Sequence, residues 1–188
     1  MMADICKKMF RPNFESKLQF DGTDDYVDCG SGASLNDITG SVSLCAWIKA
    51  NRAWYANKLR YSNILAKDSL YRSGYGLVIY ERTSSEIRLE IFTRNSSGVS
   101  SGGSDVGTSF AQSNFVHVAG VYTSQTSMAL YVNGIAVPTS YYTASLYDPG
   151  NHSAYPFRIG ASTFYSKYYD KPFPGWIYDA RVYNVALT

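Results

Sequence analysis

Four aspartates lie close together near the start of the chain, in the segment LQFDGTDDYVDCG. Their oxygens suit calcium, which binds about six to eight oxygen ligands, mostly carboxylates and carbonyls. If this segment is a strand, alternation puts Asp24 and Asp28 on one face and Asp25 on the other, so one ion is not expected to bind all four. The alternative is structural, with Asp21 in a turn and the aspartates capping backbone N–H groups.

Aromatic side chains are the second group with a chemistry of their own, since the chain has 17 tyrosines and 3 tryptophans. Rings on turns provide rigid contact area and hydroxyl groups, which suit sugar faces and protein partners equally. We predict a binding surface from tyrosine-rich loops, with these candidate ligand-binding residues: Trp54, Tyr55, Tyr71, Tyr75, Tyr141, Tyr142, Tyr147, His152, Tyr155, Tyr165 and Tyr168. The alternative is that many of these rings pack over the ends of the fold.

Composition limits the classes of protein that this chain can be. Its 188 residues are enough for one domain that buries its own core. With 17 Lys and Arg against 15 Asp and Glu, and no block of like charge, the sequence gives no electrostatic case for a nucleic-acid partner. No apolar run approaches the roughly 18 residues of a membrane helix, and the N-terminus lacks the apolar core of a signal peptide.

Residues 1–16 precede the first good strand and mix Met, Phe and basic residues without a clear period. Terminal segments of this kind are poorly ordered unless something ties them down. We expect an N-terminal arm that is either disordered or docked on a neighbour, in which case it would support an oligomer. The folded domain is expected to occupy residues 17–188.

The elements that position the candidate residues are predicted to be β-strands. Apolar residues alternate with period two in segment after segment, separated by polar or Gly-containing breaks, and no window shows the spacing of an amphipathic helix. In SVSLCAWIKA, the even-numbered residues from Val42 to Ile48 share one face. Asn133-Gly134, between apolar flanks, favours a type I′ hairpin. The polar, Gly-rich segment 95–109 is predicted to be a loop or flexible rim.

Five phrases, in this order along the chain, resemble the laminin-G-like domains of the concanavalin A-type jellyroll family. LQFDGTDDYVDCG is similar to the phrase that opens such domains, and SVSLCAWIKA to the strand that follows. FVHVAGVYTSQTSMALYVNGI is similar to the family's hairpin, while PFRIGAS and FPGWIYDARVYNVAL are similar to its closing phrases. The five phrases cover roughly Lys17 to Leu187.

This resemblance implies an all-β jellyroll β-sandwich of two antiparallel sheets packed face to face. It also implies a curved sheet and rim loops that often bind carbohydrate, and a calcium ion near the rim in many members. Because the first and last strands of these domains are neighbours, the implied calcium site joins Asp24 or Asp25 to Asp179. The alternative is that Asp179 pairs with an arginine.

Glycosidases of the same architecture carry an E-x-D-x-E signature, whose carboxylates on one strand face act as nucleophile and acid/base. In EIRLEIF, Glu86 and Glu90 keep the outer positions but Arg88 replaces the central aspartate. An arginine between two carboxylates favours their ionised forms, whereas a general acid needs a raised pKa. His117 and His152 have no GxSxG sequence beside them. We therefore predict no catalytic residue, with the glutamates on a solvent-exposed face.

Together these observations predict a non-catalytic binding module that recognises carbohydrate through rim loops, with calcium as its cofactor. The alternative is a structural, assembly or adsorption domain of a virion or extracellular surface protein, whose partner is a protein. A glycosidase is the lesser alternative. Each of the first two predictions places the chain on a virion or outside the cell.

Overall fold

The computed structural model describes residues 17–51, 60–69, 73–83, 86–141, 145–150, 154–163 and 170–188. Within these ranges the chain is almost entirely β, with one short helix, α1, at Ala33–Asn36. The strands form two sheets around a shared core, so the predicted all-β sandwich is confirmed. No helix in the described part of the chain is long and apolar enough to cross a membrane.

The strands, in chain order, are β1 Leu18–Asp21, β2 Val27–Asp28, β3 Val42–Ala50, β4 Arg60–Ser69, β5 Ser73–Thr83, β6 Glu86–Asn95, β7 Gly98–Asp105, β8 Val116–Thr123, β9 Ser127–Val132, β10 Ile135–Val137, β11 Ser140–Tyr141, β12 Arg158–Ile159, β13 Asp170–Pro172 and β14 Pro174–Tyr183. Sheet A has the order β1-β14-β3-β8-β9-β10. Sheet B has the order β11-β7-β6-β5-β4-β12-β2, and β13 pairs with β4 in parallel.

Alternation decides which side of each strand faces the core. In β3, the even-numbered residues from Val42 to Ile48 are fully buried between the sheets, while Cys45 and Trp47 lie on the outer side and are partly exposed. Leu77 on β5 and Leu89 on β6 enter the same core from sheet B. Burial of each large apolar side chain contributes about 1.5–3 kcal/mol, so the period-two pattern is also the main source of stability.

The connection from β9 to β10 is the predicted Asn-Gly hairpin. Asn133 and Gly134 have φ values of 51° and 76°, as a type I′ turn requires at both central positions. Asn133 also ties the hairpin to β8, because its Oδ1 accepts a hydrogen bond from the backbone N–H of His117 at 2.9 Å. The turn prediction is confirmed.

The prediction that residues 95–109 form a loop is wrong for most of the segment. Gly98–Asp105 is β7, and every one of its residues pairs with β6. Its serines and glycines fit because the inner face leaves little room: a Cβ on Gly102 would lie 3.0 Å from Thr139 Cγ2 and 3.2 Å from Met128 Cβ. A composition that suggests flexibility is here a requirement for close packing.

The two strands of the aspartate-rich segment belong to different sheets. β1 pairs with β14 in sheet A, whereas β2 pairs with β12 in sheet B. The chain therefore crosses from one sheet to the other between Asp21 and Val27. β1 pairs with β14, so the expectation that the first and last strands are neighbours is confirmed.

Candidate functional site

The side of sheet B that faces away from the core is the candidate site, and we call it the outer face of sheet B. Residues opposite each other on paired strands share a face, so the strand registers define rows across it. The central row is Asn63, Val78, Glu90 and Gly103. The row on one side is Tyr61, Tyr80, Arg88 and Asp105, and the row on the other is Ala66, Gly76, Phe92 and Ser101. Neighbouring rows are about 7 Å apart.

The central row is buried although it points away from the core. The exposed fraction is 2% for Asn63, 1% for Val78 and 6% for Glu90. Leu77 and Ile79, the neighbours of Val78 along β5, both belong to the core, so Val78 itself faces outward. The central row is therefore covered by other parts of the protein on this side of the sheet.

Glu90 is in an unusual electrostatic state for a glutamate. Burial raises the pKa of Glu90 to about 7, although the positive charges of Arg88 and Arg82 act in the opposite direction. Its carboxyl makes no hydrogen bond to any residue that the structure describes. Near neutral pH the group is present in both protonation states, so it can donate or accept. The prediction of a solvent-exposed face is wrong for Glu90, because the residue is only 6% exposed.

Asn63 supplies a second polar group without a partner. Its Nδ2 is buried and has no hydrogen-bond acceptor among the described residues. A buried donor left in this state costs about 1–3 kcal/mol. Asn63 and Glu90 are separated by Val78, that is by two inter-strand spacings or roughly 10 Å.

Aromatic rings flank the central row on both sides. Tyr61 and Tyr80 stack with their ring centroids 4.4 Å apart and 8° between their planes. Phe92 lies over Gly76, where a Cβ would come within 2.6 Å of the ring, and the Arg94 guanidinium carbon is 5.7 Å from the ring centroid. Flat rings on either side of the polar groups of the central row suit a ligand that has both apolar faces and hydroxyl groups.

The two glutamates of EIRLEIF share this face but are in different states. Arg88 forms an ion pair with Glu86, and Arg82 Nη1 lies 3.3 Å from Glu86 Oε1. Glu86 is therefore held between two guanidinium groups, as the prediction of an ordinary Glu-Arg-Glu face expects. Glu90 takes part in no ion pair among the described residues.

Most of the predicted loop aromatics lie outside the described residues: Trp54, Tyr55, Tyr71, Tyr142, His152, Tyr165 and Tyr168. Three others are described and occupy different parts of the fold. Tyr141, in edge strand β11, is 48% exposed, and its hydroxyl is 3.1 Å from both the backbone nitrogen and the carbonyl oxygen of Met128. Tyr147 is half-buried, while Tyr155, before β12, accepts a hydrogen bond on its carbonyl from buried Lys67. The structure does not bring these three together.

The prediction that Tyr75 is a loop residue on a binding surface is wrong. Tyr75 belongs to β5, is 0% exposed and is part of the core. Its hydroxyl donates a hydrogen bond to the Leu35 carbonyl at 3.1 Å, and burial raises its pKa. The strand period, which puts Tyr75 on the same side as Leu77 and Ile79, explains why a ligand cannot reach it.

The aspartates between β1 and β2 form a cluster of exposed carboxylates. One oxygen each from Asp21, Asp24 and Asp25 lies within 4.8 Å of the others, and Asp28 is not part of the group. Two of the three also hold the turn: Asp21 Oδ1 accepts from the Thr23 N–H at 2.6 Å, and Asp25 Oδ2 from the Asp21 N–H at 2.9 Å. The expected capping of backbone N–H groups is confirmed, whereas the expected separation of Asp24 from Asp25 on opposite faces is wrong, because residues 23–26 are not a strand.

Asp179 does not join these aspartates. The residue opposite Asp21 on β14 is Pro174, and Asp179 lies farther along the strand by roughly 16 Å. Its Oδ1 is instead 2.7 Å from Arg181 Nε, within a β-bulge where Asp179 has a φ of 51°. The predicted metal role of Asp179 is wrong, and the alternative of a pair with an arginine is confirmed.

Comparison with known families now adds to this geometry. Residues 21–188 match the family model described as the Concanavalin A-like lectin/glucanases superfamily. The chain belongs to this superfamily. The resemblance seen in the five sequence phrases is therefore confirmed, while among curated proteins none matches the sequence.

Solved structures of the superfamily fold are similar to the chain at low sequence identity. The native heptameric SAP-like pentraxin from Limulus polyphemus is 16% identical over 92% of this chain and 77% of that one, with a TM-score of 0.59. The binding domain of botulinum neurotoxin DC, in complex with rat synaptotagmin II, is 17% identical over 94% and 41%, with a TM-score of 0.61. A botulinum neurotoxin type C structure, whose description states that cell entry of the toxin depends on interaction with two ganglioside molecules, is 18% identical over 92% and 39%, with a TM-score of 0.57. The chain spans about four tenths of the toxin chains, and identities this low show the fold alone.

Sequence reasoning missed Asn63 and Glu90 as a pair. Alternation in EIRLEIF places Glu90 on the correct face, but the burial of that face comes from chain segments distant in sequence. For Asn63 one signal exists in SNILAK, since an amide side chain within an apolar strand needs either a partner or an outward direction. The β-bulge between Asn63 and Leu65 then fixes which side the amide takes.

Proposed function

We propose that this superfamily member is a non-catalytic carbohydrate-binding module whose site is the outer face of sheet B. The observation that carries the proposal is that the stacked rings of Tyr61 and Tyr80 share one sheet face with the Glu90 carboxyl, which has no hydrogen bond to any described residue. A sugar matches this surface because its ring has apolar faces and its rim has hydroxyl groups. Most of the loop aromatics predicted from the sequence lie outside the described residues, and their role in binding stays a prediction.

Each part of the face has a distinct task in this proposal. The exposed surface of the Tyr61–Tyr80 stack supports the apolar face of one sugar ring, and Phe92, one row beyond the central row, supports another. The Glu90 carboxyl forms a hydrogen bond with a sugar hydroxyl group. Rigid strands hold all of these groups, so little conformational entropy is lost on binding.

The same geometry argues against hydrolysis. Glycosidases use two carboxyl groups, one on either side of the scissile bond, with separations of about 5–9.5 Å. Glu86, the second glutamate of the face, is held by Arg88 and Arg82, so its ionised form is favoured and its carboxylate is occupied. One unpaired carboxyl remains, which suits hydrogen bonding to a ligand better than acid–base catalysis.

The names of compared proteins support carbohydrate as the ligand class. The family description includes lectins, and one neurotoxin structure is described through its interaction with gangliosides, which are lipids that carry glycans. We extend the same class of ligand to this chain. An extracellular or virion-surface location follows from that class, because glycans are displayed on cell surfaces.

A glycan array followed by calorimetry tests the proposal. Wild-type protein should bind at least one group of glycans, and Tyr80→Ala should weaken that binding about tenfold, equivalent to about 1.4 kcal/mol of lost stacking. Trp176→Ala is the matched control, since Trp176 lies on the outer side of sheet A beside Lys49. No binding to any glycan on the array, or an equal loss of affinity in both variants, would contradict the proposal.

We further propose that Asp21, Asp24 and Asp25 hold a calcium ion that stabilises the crossing between the sheets. The donor set fits calcium, since it consists of carboxylates and water can supply the remaining ligands. Only one oxygen of Asp21 and one of Asp25 are used by backbone N–H groups, so each keeps an oxygen for the ion. A bound ion would neutralise three neighbouring negative charges; Asp179 is not part of this site.

One observation favours protein as a second class of partner. On the outer side of sheet A, Trp47 stacks on Tyr178 with centroids 5.9 Å apart, and Phe115 meets Tyr178 edge-on at 5.1 Å. An aromatic group of this size on a sheet's outer side is typical of protein contact surfaces. An assembly or adsorption domain is expected to self-associate. Light scattering of the full chain should therefore show an oligomer, and a variant lacking residues 1–16 should associate more weakly. A monomer in both would count against it.

A further inference from the structure

We infer that the edge of sheet A at β14 binds a segment of the chain's own N-terminal arm, residues 13–16, as a continuation of strand β1. The inference concerns this sheet edge and does not rest on carbohydrate binding. It starts from a difference in length: β3 pairs with β14 over residues 175–183, whereas β1 pairs with it over residues 174–177. The described strands therefore line nearly all of one side of β14 and less than half of the other.

Burial along β14 changes where β1 ends. Ile177 is fully buried and Tyr178 is 6% exposed, while each of residues 179–183, which we call the distal half of β14, is only half-buried. Val182 shows the consequence for the core, because Leu44, its partner on β3, is fully buried between the sheets but Val182 itself is not. A further apolar side chain beside Val182 would remove this remaining exposure and so stabilise the edge.

The direction of the chain leads the N-terminal arm to the distal half. β1 and β14 are antiparallel with Leu18 opposite Ile177, so a strand that continues before Leu18 runs toward the C-terminal end of β14. Lys17 follows this course, since its Nζ is 6.0 Å from the centroid of the Phe115 ring, which in turn meets Tyr178 edge-on. Residues 13–16 are the next in the chain and need no linker to reach the distal half.

Alternation decides which residues face each other in the continued strand. Phe20 points into the core from β1, so Phe14, six positions earlier, points to the same side. Residues opposite each other on paired strands share a face. Val182 faces the core and Arg181 faces the outer side, so the partner of Phe14 is Val182.

The β-bulge in β14 accounts for this register. On the side of β3, the five residues 43–47 are paired with the six residues 178–183, because the bulge adds one residue to β14. The five residues 13–17 match the same stretch when the bulge is counted toward both neighbours of β14. Pro12, which has no backbone N–H, then lies where the pairing ends.

The resulting pairs are chemically complementary. Phe14 packs beside Val182 on the core side, and Glu15 lies opposite Arg181 on the outer side. Apolar pairs and pairs of opposite charge both stabilise antiparallel strands. The guanidinium of Arg181 has five N–H donors, of which Nε donates to Asp179 Oδ1 at 2.7 Å, so it can bind a second carboxylate. A shift of one residue would instead put Glu15 on the core side and Phe14 in solvent.

A continued strand also changes what sheet A offers to other proteins. The N–H and C=O groups along an exposed sheet edge can pair with strands of other chains. Residues 13–16 would cover the distal half of β14 against such pairing. The folded domain then begins at Asn13, and residues 1–12 lie outside the sheet.

Disulfide cross-linking of the full chain tests the register, in a background in which its three cysteines are replaced by serine. The pair Phe14→Cys and Val182→Cys should form a disulfide within one chain, because facing residues of paired strands are close enough for one. The control pair Glu15→Cys and Val182→Cys has its side chains on opposite faces and should cross-link at least about tenfold more slowly. A disulfide that joins two chains, equal rates for both pairs, or no disulfide in either would overturn the inference.

Hydrogen exchange of the full chain with its natural sequence provides a measurement that needs no cysteine variant. The amides of residues 13–16 should exchange at least about tenfold more slowly than those of residues 3–11. Phe14→Ala should remove most of this protection, since it removes the contact with Val182. The matched control Phe10→Ala, on the other side of Pro12, should retain it. Equal exchange in the two segments, protection that survives Phe14→Ala, or an equal loss in both variants would overturn the inference.

Discussion

The aspartates between β1 and β2 and the glutamate in the middle of β6 carry the same functional group in opposite surroundings. Asp21, Asp24 and Asp25 are exposed, and their oxygens lie within 4.8 Å of one another. Two of them accept backbone hydrogen bonds. Glu90 is alone, buried and without a hydrogen bond to any described residue, and its pKa is raised to about 7.

This difference shows that a high local density of charged groups and the ability to bind a ligand are separate properties. Exposed carboxylates are already well solvated, so a ligand gains little by contacting them unless it is a cation. A largely buried carboxyl has lost most of its water, so a ligand that supplies a hydrogen-bond donor causes little further desolvation of the protein. We therefore expect the cluster to respond to calcium and Glu90 to respond to sugars and to pH.

The largest expected effect is on the pH dependence of stability, and it concerns Glu90. Its folded pKa, about 7, lies above the ordinary value of 4.5, so the folded state binds the proton more tightly than the unfolded chain. The resulting stabilisation is fully present below pH 4.5 and is lost as pH rises through 7. Between these limits wild type should lose about 3 kcal/mol relative to Glu90→Gln.

Urea unfolding of both proteins at several pH values from 4 to 8 measures this difference. The free energy of unfolding of Glu90→Gln, relative to wild type, should rise across the window and become level above pH 7. If the free energies of unfolding of the two proteins changed in parallel with pH, Glu90 would not be desolvated in solution as it is in the structure. In thermal unfolding the same difference corresponds to roughly 6–12 °C for a domain of this size.

The second effect is a response to calcium, and it concerns the aspartate cluster. At calcium concentrations about tenfold above the dissociation constant, the free energy of unfolding should rise by about 1.4 kcal/mol, or roughly 3–6 °C in Tm. The variant Asp24→Asn should lose most of this response, because it removes one of the three charged ligands. Equal responses in wild type and Asp24→Asn, or no response in wild type, would contradict calcium binding at the cluster.

The fold could be predicted from the sequence because its signal is local. Period-two alternation decided the faces of β3, and Asn133-Gly134 decided the hairpin. The error at β7 has the opposite origin: the small residue at Gly102 is required by its contacts with Thr139 and Met128, which are distant in sequence. Local composition cannot distinguish small residues that pack closely from small residues in a loop.

The candidate site was less predictable for the same reason. Tyr75 and Tyr80 belong to the same strand, yet one lies in the core and the other on the outer face of sheet B. Their difference of five positions, an odd number, changes the face on a strand. The state of Glu90 depended on burial from other parts of the chain, and no pattern in EIRLEIF distinguishes it from Glu86.

The smallest expected effect comes from Asp179, the residue that the sequence joined to the cluster and the structure separates from it. Its ion pair with Arg181 is partly exposed, and such pairs contribute less than about 1 kcal/mol. Asparagine also tolerates the positive φ at this position. Asp179→Asn should therefore change the free energy of unfolding by less than about 1 kcal/mol and leave the calcium response of wild type intact, as measured by thermal unfolding with calcium and with chelator. Loss of that response in Asp179→Asn would mean that Asp179 reaches the cluster in solution, against the register that pairs Asp21 with Pro174.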